Sequence, residues 1–149
     1  MRQAMKSVHQ LLIVDDNPGD VGLSREALGV YAPGCQIDTV EDGVEALAFL
    51  TRRDKYANAA QPDLVILDLN LPKRGGLAVL AAMKASPELR RIPVIIFSTS
   101  RLSQDVVRSY DLGANCYVCK PGNLSEFFAT MKSIEQFWFA FATLPPRGE

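Results

Sequence analysis

Short strand-like runs alternate with longer segments of helical periodicity five times along this chain of 149 residues. Most of the short runs are rich in Leu, Ile and Val, which is typical of strands that are buried on both faces. The predicted strands are 11–14, 36–40, 64–67, 93–97 and 116–119. The predicted helices are 18–31, 43–53, 77–85, 103–112 and one from about 124 into the 140s. Strict strand–helix alternation predicts an α/β, doubly wound fold, in which helices cover both faces of a five-stranded parallel sheet.

Composition limits the classes of protein to which the chain can belong. With 48% hydrophobic residues, we expect a single domain over 1–149 with a core of about 10–142. The 16 basic and 17 acidic residues are nearly balanced, which disfavours nucleic acid and anionic membranes as partners. Residues 1–10 lack the apolar region of a signal peptide, and no run is long enough to span a bilayer. We therefore expect a cytoplasmic protein.

The cysteines Cys116 and Cys119 have the CxxC spacing of some zinc and redox sites. However, there is no second pair, and His9 is the only histidine. The two cysteines also lie in a predicted strand, where residues three apart face opposite sides. Together with Cys35 they are expected to be reduced thiols without a metal.

The candidate site residues follow four of the five predicted strands. Asp15 and Asp16 end the first strand, Asp68 the third, Ser98 the fourth and Lys120 the fifth. Taken singly, an aspartate after a strand is usually a turn residue or a helix cap. Ligands of open parallel sheets, however, bind beyond the carboxyl ends of the strands, and there these residues would meet.

The residue types suggest phosphoryl chemistry. Clustered carboxylates repel one another unless a cation lies between them, and an all-oxygen ligand set suits Mg²⁺. A carboxylate is also an adequate nucleophile for a phosphoryl group. The Lys120 ammonium and the Ser98 hydroxyl could neutralise charge on the transferred oxygens.

Over residues 11 to 138 the chain resembles the receiver domains of two-component signalling. The matching motifs are Leu-Ile-Val-Asp-Asp-Asn-Pro-Gly-Asp at 12–20, Val-Ile-Leu-Asp-Leu-Asn-Leu-Pro at 65–72 and Cys-Tyr-Val-Cys-Lys-Pro at 116–121. The resemblance implies a flavodoxin-like sheet with strand order 2-1-3-4-5 and five helices, the last of them extended.

The resemblance also implies roles for the carboxylates. Asp68 would be the phosphoacceptor, and Mg²⁺ would be the cofactor. Its ligands would be Asp16, Asp68 and the backbone carbonyl of Asn70, with Asp15 acting through a metal-bound water.

A conformational switch is implied in the same way. Lys120 would contact the phosphoryl group, and Ser98 would turn toward it after phosphorylation. Tyr117 would be an aromatic switch whose rotamer follows Ser98. The peptide bond between Lys120 and Pro121 is expected to be cis, a feature that requires proline.

Several details resemble a narrower subgroup, the single-domain regulators that serve cyanobacterial and bacterial phytochrome kinases. They include the polar insertion around 55–57 and the Phe-Trp pair at 137–138 followed by Leu-Pro at 144–145. The resemblance therefore implies a histidine kinase, of phytochrome type, as the partner that phosphorylates the chain.

The last predicted helix is more apolar than a surface helix needs to be. At about 100° per residue, its apolar arc spans roughly 200°, about twice the width of an ordinary stripe. Either the end of the helix covers extra core, or it forms a partner surface such as a two-fold homodimer. Receivers often dimerise through the fourth helix, fifth strand and fifth helix. The candidate interface residues are Phe127, Phe128, Phe137, Trp138, Phe139 and Phe141.

The leading hypothesis is a response regulator without an output domain, which signals through protein contacts or dimerisation. A second hypothesis is a phosphorelay intermediate that passes its phosphate to a histidine phosphotransfer protein. A third is a Mg²⁺-dependent phosphohydrolase with an aspartyl-phosphate intermediate. That class of enzyme needs a second carboxylate two residues after the nucleophile, where this chain has Asn70. We therefore expect no enzyme activity beyond self-catalysed phosphoryl acceptance and slow autodephosphorylation.

Overall fold

The computed structural model describes residues 9–147, which form five strands and five α-helices. The strands are β1 (Gln10–Val14), β2 (Gln36–Val40), β3 (Leu64–Leu67), β4 (Val94–Ser98) and β5 (Cys116–Cys119). The helices are α1 (Pro18–Tyr31), α2 (Gly43–Leu50), α3 (Gly76–Ala85), α4 (Ser103–Asp111) and α5 (Leu124–Glu135). A 3₁₀ turn (Asp54–Tyr56) follows α2, and a π-helical segment (Gln136–Phe141) continues α5.

All strand pairs in the sheet are parallel, in the order β2-β1-β3-β4-β5. This confirms the predicted topology. In the register, Val14 lies beside Val40 on one side and beside Leu67 on the other. The carboxyl ends of the central strands are therefore level, so the residues that follow them share one edge of the sheet.

A separate apolar core covers each face of the sheet. On one face, β-strand residues such as Leu12 and Ile96 pack with α2 and α3. On the other face, residues such as Leu11 and Ile95 pack with α1 and α5. Adjacent strand residues thus belong to different cores, as the two-residue period of a strand requires. Because each buried Leu or Ile contributes about 1.5–3 kcal/mol, the two cores hold the sheet rigid beneath its carboxyl edge.

Side-chain caps fix the beginnings of three helices. Asn17 accepts a hydrogen bond from the N–H of Asp20 at 3.0 Å and so begins α1, with Pro18 in the first helical position. Asp42 caps α2 and Asn123 caps α5 in the same way. The predicted start of the first helix at residue 18 is confirmed.

Helix α2 is shorter than predicted. It ends at Leu50 rather than at residue 53, because Arg52 has a φ of 57°, which lies outside the helical region. Val44 in this helix is 51% exposed, whereas Ala46 and Phe49 are buried. The loop after α2 folds back, since the Tyr56 ring lies 5.2 Å from that of Phe49.

The chain also changes helical type near its end. From Gln136 the backbone forms a π-helix, closed by a hydrogen bond from the N–H of Ala142 to the carbonyl of Phe137. A π-turn holds more residues than an α-turn, so the 100° spacing used to predict the exposed face stops applying here. In the described part of the chain, no helix has the length and apolar character needed to cross a membrane.

Candidate functional site

The strand-end residues predicted to form a site do meet at the carboxyl edge of the sheet. Their backbones extend the ladder of β-sheet hydrogen bonds. The N–H of Asp15 donates to the carbonyl of Val40, and that of Asp68 donates to the carbonyl of Val14. The N–H of Lys120 donates to the carbonyl of Ser98. The sheet itself therefore fixes where these side chains begin.

The Lys120 ammonium lies at the centre of the site, and only 5% of its side chain is exposed. It donates three hydrogen bonds, each to a different carboxylate. The acceptors are Oδ2 of Asp15 at 2.9 Å, Oδ2 of Asp20 at 2.8 Å and Oδ2 of Asp68 at 2.9 Å. An ammonium has three donors, so these contacts use its full capacity.

Burial and charge act in opposite directions on the pKa values of these groups. Burial by itself would lower the pKa of the Lys120 ammonium, but its hydrogen bonds to Asp20, Asp15 and Asp68 outweigh burial and raise it. Burial raises the pKa of the Asp15 carboxyl, while the N–H of Asn17 and the Lys120 ammonium partly offset that rise. The site thus keeps Lys120 charged at neutral pH.

Three carboxylates in the site are close enough to hold a metal ion. Asp15, Asp16 and Asp68 can each present an oxygen so that the three oxygens lie within 4.8 Å of one another. Asp16 is exposed, and the other two are buried. Oδ1 of Asp68 accepts a hydrogen bond from the N–H of the exposed Asn70 at 3.2 Å. A mixed set of buried and accessible carboxylates suits a hard divalent cation that keeps some of its water.

Gly76 allows α3 to begin directly against the phosphoacceptor candidate. A Cβ on this residue would lie 2.2 Å from the backbone carbonyl oxygen of Asp68, a distance that no real side chain tolerates. The N–H of Gly76 also donates to the carbonyl of Leu69 at 3.0 Å. This glycine therefore permits a close approach of two backbones and holds the turn after Asp68 in place.

Ser98 and Tyr117 are both bound to Ser100, a residue that the sequence analysis did not single out. The Ser98 side chain is fully buried, and its Oγ accepts a hydrogen bond from the N–H of Ser100 at 3.2 Å. The Tyr117 hydroxyl donates to the carbonyl of Ser100 at 2.8 Å. The hydroxyl of Ser100 donates to Asp105 in the first turn of α4 at 2.5 Å. One loop residue therefore joins the buried serine, the aromatic residue and a helix.

Asp20 is the second residue of the site that sequence reasoning missed. It stands within the first quoted motif, but nothing in the local sequence shows that its carboxylate reaches a lysine 100 residues away.

The peptide bond between Lys120 and Pro121, which was expected to be cis, differs from that prediction. No peptide bond between residues 9 and 147 is cis, so this bond is trans, the form that is intrinsically favoured even before proline.

Four of the six aromatic residues predicted to form an interface pack inward. Phe127 is 3% exposed, and its ring lies 5.4 Å from that of Phe97 in an edge-to-face contact, so its assignment to an interface is wrong. Three further rings lie against the same core, namely those of Phe128, Trp138 and Phe139. The Phe139 ring stacks on His9 with 4.5 Å between centroids. For these residues the end of the helix covers additional core.

The other two predicted interface residues are exposed. Phe137 is 52% exposed and Phe141 is 78% exposed. Phe137 borders an open, largely apolar groove of about 740 Å³ between the edge strand β5 and α5, where Val118 and Pro121 also lie. The free thiol of Cys116 lines the same groove, and that of Cys119 points to Ser100, so the two cysteines do not form a pair.

Comparison with known proteins decides the family. The protein family described as the response regulator receiver domain matches residues 11–132 of this chain. This chain belongs to that family. The response regulator Rcp1 of Synechocystis is 42% identical over 135 residues, which cover 91% of this chain and 92% of Rcp1.

Two solved structures of receiver domains are also similar in fold. The crystal structure of the phosphorylated cyanobacterial phytochrome response regulator RcpA has 47% identity and a TM-score of 0.91, and covers 94% of this chain and 100% of that one. The Mn²⁺-bound form of Rcp1 has 40% identity and a TM-score of 0.89, and covers 93% of this chain and 99% of that one. These likenesses confirm the receiver fold and the resemblance to phytochrome response regulators.

Proposed function

We propose that this receiver domain accepts a phosphoryl group on Asp68 from a histidine kinase and signals through protein contacts. The observation that carries this proposal is the Lys120 ammonium at 2.9 Å from Oδ2 of Asp68, among further carboxylates at the carboxyl edge of the sheet. In that arrangement a nucleophilic oxygen and a fixed positive charge share one small site.

The transfer involves one bond formed and one bond broken at phosphorus. An oxygen of Asp68 forms a bond to phosphorus while the bond from phosphorus to the kinase imidazole breaks, and the imidazole leaves with the electron pair. Lys120 then turns one N–H from Oδ2 of Asp68 to a phosphoryl oxygen. Ser98, whose Oγ already accepts one hydrogen bond, can donate its own proton to a second phosphoryl oxygen.

A divalent cation, Mg²⁺ in our proposal, would supply the rest of the positive charge that phosphoryl transfer requires. Asp15, Asp16 and Asp68 fit such an ion by their oxygen donors and their mutual proximity. The Mn²⁺-bound form of Rcp1 supports divalent metal binding by this chain. The backbone carbonyl of Asn70 would complete the set of protein ligands.

The contacts of Ser100 suggest how phosphorylation reaches the surface. If Ser98 turns toward a phosphoryl group, the Ser100 N–H loses its acceptor and the loop before α4 shifts. The carbonyl of Ser100 then no longer holds the Tyr117 hydroxyl, and the Tyr117 ring is free to turn inward. The switch pair proposed for Ser98 and Tyr117 thus acts through Ser100.

The kinase in this proposal is of phytochrome type. RcpA, 47% identical to this chain, is a phosphorylated cyanobacterial phytochrome response regulator. The bacteriophytochrome response regulator AtBRR is 38% identical, with a TM-score of 0.73, and covers 95% of this chain and 100% of that one. We propose response-regulator signalling rather than catalytic turnover, because the position two residues after Asp68 is an amide, Asn70, which cannot act as a general acid or base.

The test of phosphoryl acceptance is incubation with acetyl phosphate and Mg²⁺, followed by intact-mass measurement. We expect the mass of one phosphoryl group on the wild-type chain and none on Asp68→Asn, because an amide cannot form the acyl phosphate. Omission of Mg²⁺ should also prevent the adduct. An adduct of equal yield on Asp68→Asn, or none on the wild type, contradicts the proposal.

We also propose that a second copy of the chain docks on the groove between β5 and α5. The groove is open and mostly apolar, and the exposed Phe137 borders it. Phe141, four residues further along the chain, is also exposed. Exposed apolar patches of this kind usually mark interfaces, and two-fold dimers are the commonest assemblies.

Sedimentation velocity of the wild type and of Phe137→Ala/Phe141→Ala tests the dimer. We expect a dimer for the wild type and a monomer for the double variant, because both exposed rings are lost. Phe139→Ala is the matched control: its ring stacks on His9, so its loss should lower stability and leave the dimer intact. A monomeric wild type, or a double variant that stays dimeric, contradicts the proposed interface.

A further inference from the structure

The carboxylate of Asp20 occupies an unusual place in the site. Asp20 lies in the first turn of α1, where its N–H is held by Oδ1 of Asn17 at 3.0 Å. Its own Oδ2 lies 2.8 Å from the Lys120 ammonium. The Asp20 side chain is 25% exposed, whereas those of Asp15 and Asp68 are 6% and 8% exposed. Asp20 therefore binds Lys120 from the solvent side of the site.

Phosphorylation and metal binding change the three carboxylates that accept hydrogen bonds from Lys120 in different ways. Asp68 becomes an acyl phosphate, so its carboxylate charge is consumed. Asp15 belongs to the acidic group that can hold a metal ion, together with Asp16 and Asp68. Asp20 lies outside that group and is not phosphorylated. Its contact with Lys120 is thus the one that neither phosphorylation of Asp68 nor metal binding by the acidic group disrupts.

We infer that Asp20 is a positioning residue, which holds the Lys120 ammonium from the solvent side of the site while the other two carboxylates change partners. The inference rests on the proposed phosphorylation of Asp68 and assigns a function to a residue that neither touches the phosphoryl group nor binds the metal.

The physical reason lies in the flexibility of lysine. Its ammonium ends a four-carbon chain with several rotatable bonds, so direction must come from its partners. When Asp68 becomes an acyl phosphate, one N–H of Lys120 turns to a phosphoryl oxygen. With Asp20 still bound, a second N–H keeps its direction, and less freedom is lost in the transition state. Without Asp20, the ammonium must be ordered during the transfer itself.

A simpler role for Asp20 would be to stabilise α1 through the helix dipole, as acidic residues in a first turn do. That role would change stability, but its effect would not depend on Lys120. The two explanations therefore differ in whether Asp20 and Lys120 act together.

The experiment measures the rate of phosphorylation by acetyl phosphate at saturating Mg²⁺, so that changes in metal affinity do not enter. In this reaction an oxygen of Asp68 bonds to phosphorus, the phosphorus–oxygen bond to the acetyl group breaks, and acetate leaves. We expect Asp20→Asn to lower the rate about tenfold, the size of one charge-assisted hydrogen bond lost in the transition state. Asp20→Glu, which restores a carboxylate, should recover most of the rate.

Glu41→Gln is the matched control. Glu41 follows β2 at the same edge of the sheet and is exposed, and within residues 9–147 its side chain makes no hydrogen bond or ion pair. Its neutralisation removes the same charge without touching Lys120, so the rate should not change. If Glu41→Gln slows the reaction as much as Asp20→Asn does, the effect is one of net charge and the inference is wrong.

A double-mutant cycle with Lys120→Met completes the test. If Asp20 acts through Lys120, then adding Asp20→Asn to Lys120→Met should not lower the remaining rate further. An equal fold-loss in both backgrounds, or a wild-type rate for Asp20→Asn alone, overturns the inference. Failure of the wild type to form any adduct on Asp68 would instead overturn the proposed function, so the two failures are distinguishable.

Discussion

Two lysines in this receiver domain donate the same number of hydrogen bonds, but their acceptors differ in charge. Lys120 donates to three carboxylates at the carboxyl edge of the sheet, at 2.8 to 2.9 Å. Lys84, in the last turn of α3, also donates three hydrogen bonds, but to neutral oxygens at 3.2 to 3.4 Å. Those acceptors are the carbonyls of Arg90 and Ile92 and the side chain of Asn115.

The charge of the partners explains the difference between the two lysines. Burial lowers the pKa of Lys84, and its neutral partners do not reverse that effect. Burial acts on Lys120 in the same direction, but three carboxylates outweigh it and raise the pKa. Hydrogen bonds between charged groups are about twice as strong as neutral ones. Lys84 thus binds two loops to α3, whereas Lys120 balances the charge of an acidic site.

The largest expected effect is on phosphoryl acceptance. Lys120→Met should slow phosphorylation by acetyl phosphate about 100-fold, because a fixed positive charge no longer meets the transferred oxygens. Lys84→Met should leave the rate unchanged, since its ammonium lies among neutral loop carbonyls. Intact-mass time courses at saturating Mg²⁺ measure both rates. A similar loss in the two variants would remove the functional distinction between the lysines.

The second expected effect is on stability without metal. Lys120→Met leaves carboxylates together with no cation, and we expect a loss of about 3 kcal/mol in the free energy of unfolding. Lys84→Met removes weaker, neutral contacts and should cost about 1 kcal/mol. Chemical denaturation in metal-free buffer measures both losses.

Added Mg²⁺ separates the two variants further. A cation that binds only the folded state stabilises all three proteins, because each keeps the acidic group. Compared with the wild type in the same Mg²⁺, the stability deficit of Lys120→Met should become smaller, and that of Lys84→Met should stay the same. If both deficits relative to the wild type became smaller by the same amount, the loss of the Lys120 ammonium would not be what Mg²⁺ compensates.

The sequence predicted most of the residues around Lys120 and none of the contacts of Lys84. Asp15, Asp68, Ser98 and Lys120 could be found because each ends its own strand, and parallel strands bring their carboxyl ends to one edge. Asp20 could not be found, since its role depends on a distance across the fold rather than on a strand end. Every residue has a backbone carbonyl, so the sequence does not indicate which loop carbonyls accept hydrogen bonds from Lys84.

The last helix shows a second limit of sequence reasoning. On α-helical spacing its aromatic residues form one broad apolar arc, which predicts either extra core or a partner surface. The π-helical segment after Glu135 changes that spacing, so the ring of Phe139 stacks on His9 while Phe141 is exposed. Periodicity predicts a buried face only as long as the helical type stays constant.

The smallest expected effect is the dependence of stability on pH in the alkaline range. An unfolded lysine has a pKa of about 10.4. For Lys84, whose folded pKa is lower, the unfolded state binds more protons, so the stability of the wild type relative to Lys84→Met should rise as the pH increases toward that value. For Lys120, whose folded pKa is higher, the stability relative to Lys120→Met should persist below that value and decline above it.

Denaturation of the wild type and both variants over this alkaline range measures the two differences. Other groups also titrate there, since the pKa of Tyr56 is raised to about 12 by burial and by its hydrogen bond to Glu45, and that of Cys35 to about 11 by burial. Because these groups are present in all three proteins, their contributions cancel when each variant is subtracted from the wild type. The difference in free energy of unfolding between the wild type and each variant should therefore change with pH in opposite directions for the two lysines. A change in the same direction for both would mean that the charge of their partners does not determine the two pKa values.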